Sequence, residues 1–153
     1  MQVNIEVTGL DELRNKLQEI QSRAIDTEPL MAELSNHLYN IVDESFQNEK
    51  TPDGKSWSPI KPRKSDRSPN KILRDEGDMQ DSLTAQSSKD EAIIGFNATS
   101  NGYPYPIVHQ FGTKDGKIES RAFMPIHEDG SLYDETEKEL FEIVEDYMNE
   151  VLE

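Results

Sequence analysis

Apolar and polar residues alternate at the start of the chain and then change to helical spacing. Val3, Ile5 and Val7 are separated by single polar residues, which is the period-two pattern of a half-buried strand. Thr8 is a candidate helix cap. The apolar residues after it recur at steps of three or four: Leu10, Leu13, Leu17 and Ile20. The chain is therefore expected to open with a strand and an amphipathic helix.

A second helix is predicted to begin between Asp26 and Pro29, because proline is tolerated in a first helical turn. Its apolar stripe consists of Met31, Leu34, Leu38, Ile41 or Val42, and Phe46. At 1.5 Å of rise per residue, a helix of ~20 residues spans about 30 Å, enough to cross a sheet.

A third long helix is predicted at the end of the chain. Asp134 followed three residues later by Glu137 resembles a capping box. The apolar stripe of this helix is Leu140, Val144, Tyr147 and Val151. Glu150 lies at the end where the helix dipole disfavours negative charge, so a basic partner surface, or water and salt, would relieve the repulsion.

Between these helices the pattern indicates strands. Residues 83–87 and 91–96 flank the turn-forming residues 88–90 and predict a hairpin. Residues 105–111 predict a further strand, with Tyr105, Ile107, His109 and Phe111 on one face and Val108 and Gln110 on the other. Gly112 would then release the chain into a loop. Residues 121–126 are a weaker candidate for a short extended segment.

Residues 47–74 have a different character, being basic, polar and interrupted by four prolines. A loop of this length is usually functional or disordered. Pro52 and Gly54 predict a tight turn, and Trp57 is an anchor that packs on a partner or on the chain itself. Together these elements predict one α+β domain over residues 1–153. Its antiparallel sheet would pack with N-terminal and C-terminal helices, and residues 47–74 would form a long extended basic loop.

Charge is distributed unevenly in this 153-residue chain, which has a net charge of −15. Residues 50–74 contain eight basic and two acidic residues, and residues 128–153 contain eleven acidic residues and one lysine. Either these are two solvated faces, or the basic loop of one copy meets the acidic helix of the next. Because the overall field repels nucleic acid, we expect no specific nucleic acid binding.

The composition excludes several kinds of protein. The chain has no cysteine, so disulfide scaffolds, thiolate nucleophiles and Cys-ligated metals are ruled out. Residues 1–7 lack the basic and apolar stretches of a signal peptide, and no apolar run approaches the ~20 residues of a membrane span. We therefore expect a soluble protein that is made in the cytoplasm and has no membrane partner.

Candidate catalytic patterns fail on inspection. His37, His109 and His127 show no metal-ligand spacing. Residues 112–117 resemble a phosphate-binding loop but have three residues between the glycines instead of four. Residues 75–81 contain four acidic side chains without the spacing of a calcium loop. We expect no catalytic residues, no cofactor and no metal, and hence no enzyme.

Several motifs, in order, resemble the phage virion morphogenesis (tail completion) proteins of Mu-like phages and prophages. Phe46, residues 52–60 (PDGKSWSPI), residues 72–79 (ILRDEGDM) and Ser82-Leu83 resemble the first half of that family. Residues 105–112 (YPIVHQFG) and 118–125 (IESRAFMP) resemble the second half. The order and spacing match over roughly residues 30–130, and the residues 76–79 mark a divergent member.

The resemblance implies a structural protein of the virion, assembled in the cytoplasm of the host bacterium. It would act in tail completion or head-tail joining, through contacts with other phage tail or neck proteins. It would also form a homo-oligomer, possibly a ring. The family brings no catalytic residues.

The candidate interaction or structural residues come from the same motifs. They are Trp57, Lys61, Arg63, Lys64, Tyr105, His109, Gln110, Phe111, Gly112, Arg121, Phe123 and Pro125. Arg121 offers five donors for a carboxylate or for free carbonyls.

Two alternatives come from different functional classes. The net charge of −15 would suit an acidic inhibitor that imitates DNA and blocks a host nuclease, but the basic loop opposes this hypothesis. A metal-dependent nuclease would use the acidic cluster at residues 75–81.

Overall fold

The structure, a computed structural model, describes residues 3–4, 10–22, 26–60, 72–74 and 77–152. Their helices and strands follow in chain order: β1 (Val3–Asn4), α1 (Asp11–Ser22), α2 (Glu28–Asn48), α3 (Asp78–Asp81), β2 (Leu83–Ser87), β3 (Ala92–Phe96), α4 (Tyr105–Phe111) and α5 (Asp134–Leu152). The strands form one sheet in the order β1-β3-β2, and β2 and β3 form an antiparallel hairpin. The predicted α+β class is confirmed.

Helix α2 forms where its apolar spacing predicts it. Pro29 lies in its first turn, where a missing N–H group costs nothing. The residues of its stripe that are buried are Met31, Leu34, Leu38, Val42 and Phe46. The recurrence of these side chains every three or four residues buries one continuous face of the helix.

The hairpin also forms as predicted. The Ser88 N–H donates to the Glu91 carbonyl across the turn, and the Asn97 N–H donates to the Ser82 carbonyl at the open end. Ile94 and Phe96 of β3 are both buried. Because Ile94 and Phe96 are two positions apart, their side chains lie on the same face of the strand.

The predicted strand at residues 105–111 is wrong, because these residues form helix α4. Pro106 lies in the first turn of α4, whereas inside a strand it would remove a donor from the ladder. The two buried residues of α4 are Pro106 and Gln110, which are four apart, as on one helical face. A run with few polar residues fits both the two-residue period of a strand and the 3.6-residue period of a helix. The prolines at 104 and 106 were the signal that favoured a helix.

The candidate extended segment at residues 121–126 is not a strand either. It forms irregular structure with one isolated bridge, between Ile126 and Leu132. The predicted first strand is described only at Val3–Asn4, since residues 5–9 lie outside the described residues. The extended basic loop is described as far as residue 60 and again at residues 72–74.

The chain divides into two compact units, each assembled from three separate stretches. Unit 1 consists of Met1–Val3, Asn40–Thr84 and Gly95–Pro125, and unit 2 of Asn4–Tyr39, Ala85–Ile94 and Ile126–Glu153. Because the stretches interleave along the sequence, no single cut separates two continuous domains. The single domain over residues 1–153 stays a prediction.

Unit 1 has an aromatic core. The rings of Phe46 and Phe123 lie 5.2 Å apart between centroids, and those of Phe96 and Phe123 lie 5.1 Å apart. The Trp57 ring meets Phe46 edge-on at 5.7 Å. Tilted and edge-on pairs at these distances add to the stabilisation that burial alone provides.

Unit 2 is held by apolar stripes and by polar contacts between distant parts of the sequence. Leu140 and Val144 of α5 are buried. The Thr27 hydroxyl donates to the Lys89 carbonyl at 2.6 Å, and His37 Nε2 lies 2.8 Å from Glu139 Oε2. His37 is thus a half-buried residue with a carboxylate partner. In the parts of the chain that the structure describes, no helix is long and apolar enough to cross a membrane.

Candidate functional site

The described start of the basic loop is a closed turn at the end of α2. The Trp57 N–H donates to the Glu49 carbonyl at 2.9 Å, and Lys50 and Ser56 form an isolated antiparallel bridge. Gly54 takes a φ of 91°, as the predicted turn requires. Residues 49–57 therefore form a closed turn whose two ends are hydrogen-bonded to each other, and the chain then continues to residue 60.

Trp57 anchors this turn in the core of unit 1. Its side chain is 5% exposed, and its Nε1–H donates to the Ala122 carbonyl at 2.8 Å. Of the two roles expected for Trp57, packing on a partner or on the chain itself, the structure shows the second.

Arg121 fixes the next residues of the loop. Its Nε donates to the Ser58 carbonyl at 2.9 Å, and its Nη2 lies 3.4 Å from the Pro59 carbonyl. The Arg121 N–H donates to the His109 carbonyl at 2.8 Å, which joins this residue to α4. We call Trp57 and Arg121, with the backbone groups they bind, the arm clamp.

Gln110 is the buried polar centre beneath the arm clamp. Its Oε1 accepts from the N–H groups of Phe123 and Met124, both at 2.9 Å. Its Nε2 donates to the Met124 carbonyl at 2.9 Å. A buried amide that satisfies three backbone groups fixes the segment 120–125 against α4, because leaving any of them unpaired would cost free energy.

Gly112 ends α4 at a point where the backbone passes very close to another segment. A Cβ atom at Gly112 would lie 2.8 Å from the Ser120 nitrogen and 2.9 Å from the Ile118 oxygen. Its φ of 75° also favours glycine. The Ser120 hydroxyl donates to the Gln110 carbonyl at 2.7 Å, so the loop after α4 folds back onto the helix.

His109 is half-buried on α4, and its ring lies edge-on to Tyr105 with centroids 6.2 Å apart. Burial, and secondly the charge of Arg121, lower the pKa of His109 below its ordinary value. Its Nδ1 is buried and has no hydrogen-bond partner in the described part of the chain. Burial, and then the charge of Asp78, raise the pKa of Tyr105. His109 is therefore neutral near pH 7, and among the described residues no nucleophile or carboxylate is hydrogen-bonded to it.

The twelve sequence-predicted residues fall in different parts of the structure. Trp57 and Arg121 form the arm clamp, and Tyr105, His109, Gln110 and Gly112 belong to α4 and its end, as described above. Three of the remaining residues, Lys61, Arg63 and Lys64, lie outside the described residues. Phe123 and Pro125 are buried core residues, and Phe111 is partly exposed.

Two exposed apolar residues were missed by the sequence reasoning. Tyr103 is 59% exposed and Ile107 is 43% exposed. Both lie in a stretch without Asp, Glu, Lys or Arg, and this lack of charge was the available signal.

The described residues offer no metal centre, since no group of three or more His, Asp or Glu side chains among them is placed to hold an ion. Two members of the acidic cluster, Asp75 and Glu76, lie outside the described residues. Asp78 and Asp81 belong to the short helix α3. What these described residues provide is a hydrogen-bonded base for a basic segment.

Comparison with known proteins gives one match. The model of the phage virion morphogenesis family matches residues 8–149. No curated protein and no solved structure matches the chain.

Proposed function

The chain belongs to the phage virion morphogenesis family, and we propose that it acts at tail completion or head-tail joining through protein-protein contacts. Its family gives it a role in virion assembly and makes it a virion-associated protein. The observation that supports the finer proposal is the arm clamp, in which side-chain hydrogen bonds from Trp57 and Arg121 fix the base of a charged segment.

Both ends of that segment are held in unit 1. At one end Arg121 binds the carbonyls of Ser58 and Pro59. At the other end the Ile72 N–H donates to Glu49 Oε1 at 2.9 Å, and the Ile72 side chain is buried. Fixed ends reduce the conformational entropy that a segment loses when it binds a partner.

We propose that Lys61, Arg63 and Lys64 bind an acidic surface of a neighbouring tail or neck protein. The supporting observation is the charge of residues 50–74, which is opposite to that of the whole chain. Opposite charge steers association and selects partners more than it adds affinity. The contact is therefore expected to weaken as the ionic strength rises.

The acidic helix α5 fits the same function. Six acidic residues are exposed on it: Asp134, Glu135, Glu142, Glu145, Asp146 and Glu150. A surface of this charge beside a DNA passage would keep the duplex from adhering to the wall. The virion as final location, with assembly in the cytoplasm of the host bacterium, follows from this proposal. No reaction is part of it.

The test is a deletion of this gene in its phage or prophage, with the lysate examined by electron microscopy. We expect separate full heads together with tails of faulty end or length, and restoration by the gene supplied in trans. Normal, infectious virions from the deletion would overturn the proposal. They would favour the acidic inhibitor instead, whose binding to a restriction nuclease would be salt-sensitive.

The arm contact has its own test within the same system. The double variant Lys61→Glu, Lys64→Glu is expected to restore assembly poorly. The matched control is Lys114→Glu, Lys117→Glu, which makes the same charge change at two exposed lysines of another loop. Equal complementation by both double variants would contradict a role for the basic segment.

A further inference from the structure

One stretch of unit 1 lacks charge in a chain that is otherwise rich in it. Residues 92–113 contain no Asp, Glu, Lys or Arg, although 31% of the whole chain is charged. His109, the one titratable imidazole in this stretch, has a lowered pKa because of burial and the Arg121 charge, and is neutral near pH 7. Burial does not explain the whole stretch, because many of its residues are exposed.

The exposed part of the stretch lies between residues 97 and 107, and we call it the neutral face. Its apolar members are Tyr103 and Ile107, which are 59% and 43% exposed. With Ile60, they are the large apolar residues that are exposed among the described residues. Interface centres are depleted in charge and enriched in aromatic residues, whereas ordinary surface is charged.

The neutral face is rigid. The N–H groups and carbonyls of Ser100 and Tyr103 pair in both directions, at 3.0 and 2.9 Å. Between them Asn101 and Gly102 have φ values of 52° and 77°, as in a tight hairpin turn. Gln110 fixes α4, which carries Ile107, through its three hydrogen bonds to the backbone. A preorganised aromatic side chain loses little entropy on binding.

We propose that the neutral face binds a second copy of this chain and is the contact through which copies assemble. The inference rests on the proposed function and adds to it that the chain acts as an oligomer. Each copy carries a net charge of −15, so copies repel one another. Contact through an uncharged surface avoids placing like charges directly opposite each other, and salt screens the charges farther away.

Ionic strength distinguishes this contact from pairing between the basic loop of one copy and α5 of the next. Self-association through the neutral face strengthens or stays constant as salt increases, because only repulsion is screened. Association by opposite charges weakens under the same change. Sedimentation of the purified chain at low and high salt therefore separates the two kinds of contact.

The decisive variants are Tyr103→Ser, which removes the aromatic ring, and Ile107→Glu, which adds a negative charge. Each is expected to weaken self-association by about 30-fold or more, as for a central interface residue. The control is Gln86→Glu, which adds the same charge at an exposed position of β2 and should leave association unchanged. A wild-type chain that still sediments as a monomer at about 100 µM, which is on the order of the dissociation constant of a weak assembly contact, overturns the proposal. So do variants that associate like wild type.

A second measurement does not depend on how the variants associate. Because the chain has no cysteine, Tyr103→Cys creates a single thiol on the neutral face. Its reaction with a thiol reagent should slow as the protein concentration rises, whereas the thiol of Ser56→Cys should react at a constant rate. Equal behaviour of the two thiols contradicts the proposal.

These results are independent of the phage deletion. If the deletion leaves virions normal while Tyr103→Ser breaks the oligomer, the proposed function fails and the contact stands. If the deletion blocks assembly while both variants associate like wild type, the function stands and the neutral face is wrong.

Discussion

Gln110 is predicted to be the polar side chain on which unit 1 depends most. It is 3% exposed and satisfies two N–H groups and one carbonyl of the segment 120–125. Each bond contributes about 1 kcal/mol net, and each buried group left without a partner costs about 1–3 kcal/mol. Gln110→Ala should therefore lower the free energy of unfolding by about 3–5 kcal/mol, including the loss of buried volume. Gln110→Leu keeps most of that volume and should still cost about 2 kcal/mol or more.

The assay is urea unfolding followed by tryptophan fluorescence. Trp57 is the only tryptophan of the chain and is buried in unit 1, so its emission reports the unfolding of this unit. The control is Gln86→Ala at an exposed position, which should stay within about 0.5 kcal/mol of wild type. A Gln110→Ala midpoint equal to that of the control, at an unchanged slope, would refute the assignment of Gln110 as a structural centre.

Three further predictions address the residues around this centre. Trp57→Phe keeps a ring in the core but loses the hydrogen bond from Nε1, so it should lower the free energy of unfolding by about 1 kcal/mol in a thermal melt. Trp57→Ala should lower it by ~3–5 kcal/mol. Equal losses of stability in the two variants would mean that the ring contributes nothing. Gly112→Ala should destabilise the protein by at least about 1 kcal/mol more than Gly116→Ala. Both glycines have positive φ, but of the two only Gly112 has backbone atoms within 3 Å of the added Cβ. Equal urea midpoints for the two variants would contradict the close approach of the backbone to Gly112. The lowered pKa of His109 means that the unfolded chain, at an ordinary pKa of about 6.5, takes up this proton first as the pH falls. The contribution of neutral His109 to stability is thus fully present above about pH 6.5 and is lost as the pH falls through the folded-state pKa. Wild type should therefore lose more stability than His109→Gln between pH 7.5 and about 5.5. Equal losses of stability in the two proteins would show that His109 titrates normally.

Long periodic segments were predictable from the sequence because local spacing and burial agree in them. The five buried stripe residues of α2 and the buried side chains of Ile94 and Phe96 in β3 are examples. In each case a shift of the element's register by one residue would place apolar side chains in water. The start of α2 was equally predictable, because Pro29 restricts the backbone at a position where a helix tolerates it.

Helix α4 shows where this reasoning fails. Residues 105–111 carry no charged group and include apolar residues at both even and odd positions, so alternation alone does not distinguish a strand from a helix. The choice depends on Gln110, whose side chain meets backbone groups 13 and 14 residues away in the sequence. A partner so distant leaves no local pattern.

The candidate site was predictable in its members but not in its arrangement. The motifs singled out Trp57 and Arg121, and Arg121 binds carbonyls, one of the two kinds of partner expected for it. Sequence spacing did not indicate that the loop is joined to residues 121–122 twice, through Trp57 bound to the Ala122 carbonyl and through Arg121 bound to the Ser58 carbonyl. The neutral face escaped notice because a lack of charge is a property of a whole stretch and no single residue displays it.

The central claim, that this chain completes the tail or the head-tail joint, is tested most directly by complementation with purified protein. A lysate of the deletion phage would be mixed with the purified wild-type chain, and infectious particles would be counted before and after. The account predicts that separate heads and tails join and that infectivity rises, and that Gln86→Glu restores it as well as wild type does. A lysate that stays non-infectious with the purified chain, although the same gene restores it in trans, would contradict a direct role at completion or joining.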